Sequence, residues 1–397
     1  MSAIKIRRAL GAVAAGALMA SAYSTMSGAQ DAETITIGVV APFSGPGANY
    51  GDQLRKGLDL ALDEVNADGG ILIGDKQVKL VIDYCDDRNT SSQSVICGRR
   101  LASDGVKIVV TATSVASLPL VGFNEEAGFL LLGASHAPAM TTQGNKLVVR
   151  SWPDPETSDM HFAKLLFDIV NSDEDKVERA AMMVVSTDVG TSFLKQFTEG
   201  WEAAGGTVTG RAPYSIEDTD FAPQIQNLLS GKPDAIVLTT ICSTSALVIN
   251  QARQLGFEGI FLSSSACPGG EALTRFVKPD DFGNYYSEAF PSSFVVGENV
   301  LPFVGKFEAA YGSRPTEVSA GLGYMQAHWA AQALAEAGGI DDLEKLKEAF
   351  GPALSKLTHE NTLGLRDFDP VTGNTFADLA VALTSPETDG QMIRADK

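Results

Sequence analysis

Apolar positions fall into two rhythms that alternate along most of the chain. Ile35, Ile37, Val39 and Val40 form a short apolar run with the character of a buried strand. Leu54, Leu58, Ala61, Leu62 and Val65 then recur at helical spacing on one face. Ser44-Gly45-Pro46-Gly47 supplies the loop between them. Asp68-Gly69-Gly70 ends the helix, because glycine takes the positive φ that a helix C-terminus needs. The same reading predicts strands at 79–84, 106–110 and 129–132, with helices around 91–103 and between the last two strands. After Trp152-Pro153 the pattern restarts. Helices over 157–170, 191–204, 221–230 and 244–255 alternate with strands at 180–185, 206–210, 235–239 and 260–262, and two long helices follow at 297–311 and 316–337. Such alternation predicts an α/β fold of βαβ units, with doubly wound, mostly parallel sheets covered by helices on both faces. No period of the length that solenoids need repeats in the sequence.

The first 29 residues read differently. Lys5, Arg7 and Arg8 precede an apolar, alanine-rich run over 9–22, and Ser27-Gly28-Ala29 places small residues where a signal peptidase requires them. An export signal cleaved before Gln30 is expected, and with it a mature chain in the periplasm. The alternative, a retained anchor helix, needs a longer apolar span. The remaining length suits two domains. Two breaks in the periodicity mark candidate boundaries, the double-proline stretch 150–155 and Lys278-Pro279-Asp280-Asp281. Net charge is −19, and removing the three basic residues of the signal takes it to −22. That balance argues against nucleic acid and anionic membranes as partners. Four cysteines in an oxidising compartment predict two disulfides. Three pairings are possible. Cys85–Cys97 with Cys242–Cys267 is favoured, because each pair joins neighbouring βα segments.

The chemistry that the residues exclude is as useful as what they suggest. Gly45, Gly47 and Gly51 give a GxGxxxG spacing with no GK[ST], so a nucleotide loop is not supported. No GxSxG elbow or HExxH motif is present. His136, His161, His328 and His359 are scattered, and Asp83, Asp86 and Asp87 lack the glycine and closing glutamate of a calcium loop. No clustered Cys/His spacing offers a zinc site. The expectation is a protein with no cofactor, no metal and no catalytic role. In parallel α/β sheets ligands bind beyond the carboxyl ends of the strands, where helix N-termini present free N–H groups.

Residues 38–71, GVVAPFSGPGANYGDQLRKGLDLALDEVNADGGI, resemble the first unit of the periplasmic leucine/isoleucine/valine-binding proteins, the solute receptors of branched-chain amino-acid ABC transporters. The resemblance implies a type I periplasmic binding fold, two lobes joined by three chain crossings. It places an N-terminal lobe at 30–150 plus 288–366 and a C-terminal lobe at 151–287 plus 367–397. It implies a monomer that closes over a small solute and hands it to a membrane permease.

Site residues follow by the same likeness. Asn49-Tyr50-Gly51-Asp52-Gln53 matches the family's tyrosine motif, so Tyr50 lines the pocket; the alternative is packing on the sheet edge. Ser114, with Pro119 five residues on, matches a carboxylate-binding serine, against the alternative of helix capping. Ala134, Ser135 and His136 fall where the family holds carboxylate and ammonium, with His136 in place of its threonine. A capping histidine is the alternative there. In the second lobe the family's ammonium-binding glutamate aligns with 263–267, where this chain has no acid. Glu271 lies several residues on, and Asp188 is the nearest carboxylate by motif, followed by Val189 in place of a tyrosine. These departures widen the expected ligand from amino acids to amides and to aromatic or aliphatic carboxylates. Tyr324 matches a cleft-facing tyrosine, against core packing, and Trp152 is a further aromatic candidate. Two other functions stay open: a ligand sensor on the same fold, and a secreted α/β enzyme.

Overall fold

The computed structural model describes residues 33–67, 69–172, 176–215, 217–290, 293–294 and 300–395, with the side chains of Pro46 and Asp188 excepted. The export-signal reading of 1–29 lies outside the described residues. Six strands form the first sheet: β1 (Glu33–Ala41), β2 (Ile71–Ile73), β3 (Lys76–Asp86), β4 (Ile108–Thr111), β5 (Leu130–Gly133) and β6 (Val148–Arg150). Their order is β2-β3-β1-β4-β5-β6, parallel throughout except for β2 against β3. The short central strands β4 and β5 are buried along their whole length, which is why they read as unbroken apolar runs.

The chain then builds β7 (Arg179–Val185), β8 (Thr207–Tyr214), β9 (Ala235–Leu238), β10 (Ile260–Ser263) and β11 (Tyr285–Ala289). A ribbon of β12 (Leu365–Phe368) and β13 (Thr375–Ala377) precedes β14 (Ala380–Thr384) and β15 (Ile393–Arg394). The second sheet runs β15-β14-β11-β10-β9-β7-β8, parallel from β11 to β8, with β14 and β15 antiparallel at the edge.

Each sheet carries helices on both faces. On the first, helices Ala48–Asn66 and Val318–Ala337 bury Leu54, Leu58, Ala320 and Trp329 with β1 residues Ile37 and Val39. These two helices approach so closely that a Cβ on Gly57 would collide with the Ala320 carbonyl. Helices Ser91–Ser103 and Ser114–Val121 cover the other face. On the second sheet, helices Pro155–Val170 and Asp188–Ala203 bury one face, and helices Ala222–Ser230 and Cys242–Gln254 the other. Cys85–Cys97 and Cys242–Cys267 are the two disulfides, as the neighbouring βα segments suggest.

Several boundaries differ from the sequence reading. The helix after β4 begins at Ser114 rather than near Ser117, so Pro119 stands inside it, and Thr113 is the N-cap, accepting from the Ala116 N–H at 3.1 Å. Pro302–Tyr311 is shorter than the expected 297–311, whose residues 297–299 lie outside the described residues. Among the described residues no helix is long and apolar enough to cross a membrane.

Three stretches run between the two sheets. The chain leaves β6 through Trp152-Pro153, leaves β11 after Ala289, and returns from the ribbon to β14. They touch one another. The Arg150 N–H donates to the Gly373 carbonyl and the Asp154 N–H to the Thr375 carbonyl, each at 2.8 Å. The Thr375 hydroxyl donates to the Trp152 carbonyl at 2.7 Å, and the Trp152 and Phe290 rings meet edge-on at 4.7 Å.

Candidate functional site

The carboxyl ends of the parallel strands of both sheets converge on this junction. The loop after β1 is fixed from the neighbouring strand end: Asp86 accepts from the Phe43 N–H at 2.9 Å and from the Ser44 hydroxyl at 2.5 Å. Asp87 is not a solvated turn residue. It is buried, with the Asn89 N–H at 2.8 Å and the Ser94 hydroxyl at 3.2 Å, and burial pushes its carboxyl above the usual range.

Tyr50 follows that loop in the first turn of helix Ala48–Asn66, half-buried, with its hydroxyl donating to the Ala112 carbonyl at 3.1 Å. Burial, with the Glu317 carboxylate in support, raises its pKa, so the phenol stays protonated. Ser114, Ser135 and His136 form one hydrogen-bonded group. The Ser114 hydroxyl oxygen accepts from the Ser135 hydroxyl at 3.0 Å and from the His136 N–H at 3.1 Å. The Ala134 N–H is taken by the Thr111 carbonyl at 3.0 Å, so Ala134 can offer a solute only its side-chain surface.

His136 differs most from expectation. Both ring nitrogens are engaged inside the protein. The Trp152 indole N–H donates to Nδ1 at 3.1 Å, which leaves the proton on Nε2, 2.9 and 3.1 Å from the two oxygens of Asp159. Asp159 belongs to helix Pro155–Val170 on the second sheet, so the histidine joins the two halves of the molecule. Burial opposes its protonation, but Asp159 and Glu288 outweigh that and hold its pKa above the ordinary histidine value.

Tyr324 stands apart from this group. Tyr324 is fully buried in helix Val318–Ala337. Its ring packs 4.9 Å from Phe303, and its hydroxyl donates to Glu64 at 2.8 Å and accepts from Lys306 at 3.1 Å. The core-packing alternative describes it. Asp188 opens helix Asp188–Ala203, and its side chain lies outside the described residues.

Sequence reasoning missed three polar residues of the junction. Asp159 and Glu288 are fully buried, and Arg150 is a fully buried guanidinium with no carboxylate partner among the described residues. Arg150 instead donates through Nη1 to the Ser135 carbonyl, through Nη2 to the Ala137 carbonyl and the Thr141 hydroxyl at 3.0 Å each, and through Nε to Asn374 at 3.0 Å. Burial pushes its pKa down to about 10, so it remains charged. A signal for Asp159 does exist: it lies three and four residues before Phe162 and Ala163, on the buried face of its helix. Glu288 is a lone acid in the buried end of β11.

One Glu288 oxygen accepts from the Ser265 N–H at 3.2 Å, and the other, buried, has no hydrogen-bond partner among the described residues. Burial and the neighbouring Asp159 raise its pKa. The native state therefore holds this proton more tightly than the unfolded chain. Stability contributed there is lost as pH rises from the ordinary carboxyl range through the raised value. Glu288→Gln is expected to match the parent's melting temperature near about pH 4 and to exceed it near about pH 8. A parent that stays the more stable at the higher pH would show that Glu288 is compensated in its ionised form.

The sequence matches the family model described as periplasmic binding protein over residues 34–389. The chain belongs to the periplasmic binding protein family. It is 28% identical to a Leu/Ile/Val-binding protein of Rhizobium johnstonii over 61% of this chain and 62% of that protein, so the match spans less than two thirds of that relative. Among solved structures, a leucine-binding protein of Thermotoga maritima superposes with a TM-score of 0.76 at 22% identity, covering 91% of this chain and 97% of that one. A solute-binding protein of an ABC transporter from R. palustris, solved in complex with benzoate, superposes with a TM-score of 0.72 at 16% identity, over 91% and 95% of the two chains. Those likenesses establish the fold of this periplasmic binding protein: two doubly wound lobes with a three-crossing hinge. The family is the one that residues 38–71 resemble.

Proposed function

We propose that this periplasmic binding protein is the solute receptor of an ABC importer and captures a small polar solute, an amino acid, amide or small carboxylate, between its lobes. We assign the lobes to 30–150 plus 290–366 and 151–289 plus 367–397, acting as a monomer; the boundary expected before residue 288 moves past Ala289, because β11 pairs with β14 in the second sheet as far as that residue. The observation that carries this reading is the junction itself. His136, whose N–H is held by Ser114 beside Ser135 at the strand ends of one sheet, meets Asp159 from the other half, with Glu288 and its partner Ser265 nearby. Tyr50 and Ser114 form the first-lobe wall, and the solute favours closure only by contacts that it makes in the closed state. The closed form is what a permease would recognise.

A thermal-shift screen of amino acids, amides and carboxylates on the mature protein tests this. A solute at about 100 times its Kd should stabilise by about 2.7 kcal/mol. Recovery of the unchanged solute after incubation supports capture. Its conversion to product would replace the receptor by an enzyme.

A further inference from the structure

One imidazole reaches from the first lobe into the second. His136 stands in the loop after β5, and Asp159 in helix Pro155–Val170. Asp159 is fully buried, and both its oxygens lie against His136 Nε2. The other ring nitrogen, Nδ1, accepts from the indole N–H of Trp152, whose ring rests edge-on against Phe290 in the second crossing. The protein makes these contacts by itself. Parting the lobes about the hinge separates Asp159 from His136, so the pair belongs to the closed form. The ring also has two protonation states with different partners. Neutral, it donates from Nε2 to Asp159 and accepts from Trp152 at Nδ1. Protonated, it carries a proton on each nitrogen, pairs with Asp159 as a cation and must release the indole N–H.

The charged groups facing the ring decide between these states. Asp159, Glu288 from β11 and Arg150 from β6 are all fully buried, and Arg150 has Asp154 and Glu156 beside it. Burial opposes the imidazolium and so does Arg150, but the two carboxyls outweigh them and raise the pKa. The charge-assisted bond to Asp159 is also roughly twice as strong as the neutral bond from Trp152 that it displaces. We propose that His136 and Asp159 are a proton-operated latch between the lobes, engaged by acid without any solute, and that Trp152 tunes it by holding Nδ1 as an acceptor. This goes beyond the solute-receptor reading and needs only the two lobes and their hinge. With the lobes open the ring is hydrated and titrates near the ordinary histidine value. Closure therefore takes up a proton between that value and the raised one. The stabilisation of the closed form is complete below the ordinary value and is lost as pH rises through the raised one. Glu288, whose pKa burial also raises, adds in the same direction. A solute enters through the open form, so acid should slow its capture.

The test is small-angle scattering on the full mature chain, stripped of solute by extensive dialysis, beside heteronuclear NMR of its tryptophan indoles. The sequence holds three, Trp152, Trp201 and Trp329, and Trp152→Phe assigns the signal of the first. On lowering the pH from about 8.5 to about 6, the radius of gyration should fall, and one indole N–H signal should shift over the same range. His136→Gln should lose most of both changes, and Glu288→Gln should keep them. Trp152→Phe keeps a ring against Phe290 but removes the donor that competes with the proton, so the scattering midpoint should rise by about half to one pH unit. A radius that does not respond to pH would overturn the latch. So would a change that survives in His136→Gln, or one lost instead in Glu288→Gln, which would transfer the switch to that carboxyl. A Trp152→Phe midpoint that stays or falls, or a change in radius with no indole shift, would overturn it equally. The coincidence of the two wild-type curves decides the matter even if a variant fails to fold. None of these arms contains a solute, so failure here leaves the receptor reading standing.

Discussion

Arg150→Ala is expected to destabilise the protein by about 3–5 kcal/mol and to abolish solute binding. The guanidinium donates to the Ser135 and Ala137 carbonyls and to the Thr141 hydroxyl, and it reaches Asn374 in the ribbon. Truncation leaves the Ser135 carbonyl with no other described donor, takes from the Ala137 carbonyl one of its two described donors, and opens a cavity the size of the lost side chain. Each unsatisfied buried polar group costs roughly 1–3 kcal/mol, so even partial relaxation leaves a large deficit. For a chain of this length, unfolding entropy near 2.1 cal/mol/K per residue converts the loss to a melting point about 4–7 °C lower. Arg150→Lys should recover little of it, because an ammonium cannot reproduce a planar fork that serves four acceptors in fixed directions. Scanning calorimetry gives the stability term and a binding isotherm the functional one. A shift below about 1 kcal/mol would mean that the 135–141 loop holds its shape without the guanidinium.

Loss of the disulfides has the second large effect, and the two bonds should separate in kind. Cys85–Cys97 and Cys242–Cys267 close segments of 12 and 25 residues of sequence separation. Chain entropy puts their contributions near about 3 and about 3.5 kcal/mol. Cys242→Ala/Cys267→Ala also frees the 263–267 loop, whose Ser265 N–H holds Glu288. That variant should weaken solute binding beyond what its stability loss explains. Cys85→Ala/Cys97→Ala should lose stability and keep its affinity. Chemical denaturation of each pair, beside binding at a temperature where both are folded, checks this. Equal affinity losses would show that the 263–267 loop is ordered without its cystine.

The parallel cores were legible because strands buried on both faces show up as apolar runs, as β4 and β5 do. The edge strands β2 and β15, three and two residues long, were not, and neither was β14, although Ala380–Leu383 is an apolar run buried in the second sheet. The disulfide pairing was legible for a topological reason: each bond joins neighbouring βα segments, Cys85 of β3 to the following helix and Cys242 at a helix start to the loop after β10. The junction was the hard part. Nothing local to His136 announces that Trp152 and Asp159 occupy both its nitrogens, since the first lies across the hinge and the second in the other lobe. Tyr324 shows the converse, a motif match whose side chain is claimed by Glu64 and Lys306. Glu288 was invisible because an acid in a strand normally marks the solvent face, and only the packing of β14 and helix Pro155–Val170 around β11 makes it interior.

The close contact of helices Ala48–Asn66 and Val318–Ala337 has a bearing on how the chain is born. The first lobe's principal core joins residues some 270 positions apart, and β11 waits for β14 to be paired on its outer side. Neither lobe can complete itself while the last part of the chain is still being synthesised. Long-range closure of this sort is slow. Until residues 318–384 have been made, each half of the chain lacks a piece of its own core, so the nascent polypeptide cannot settle into either lobe ahead of its release.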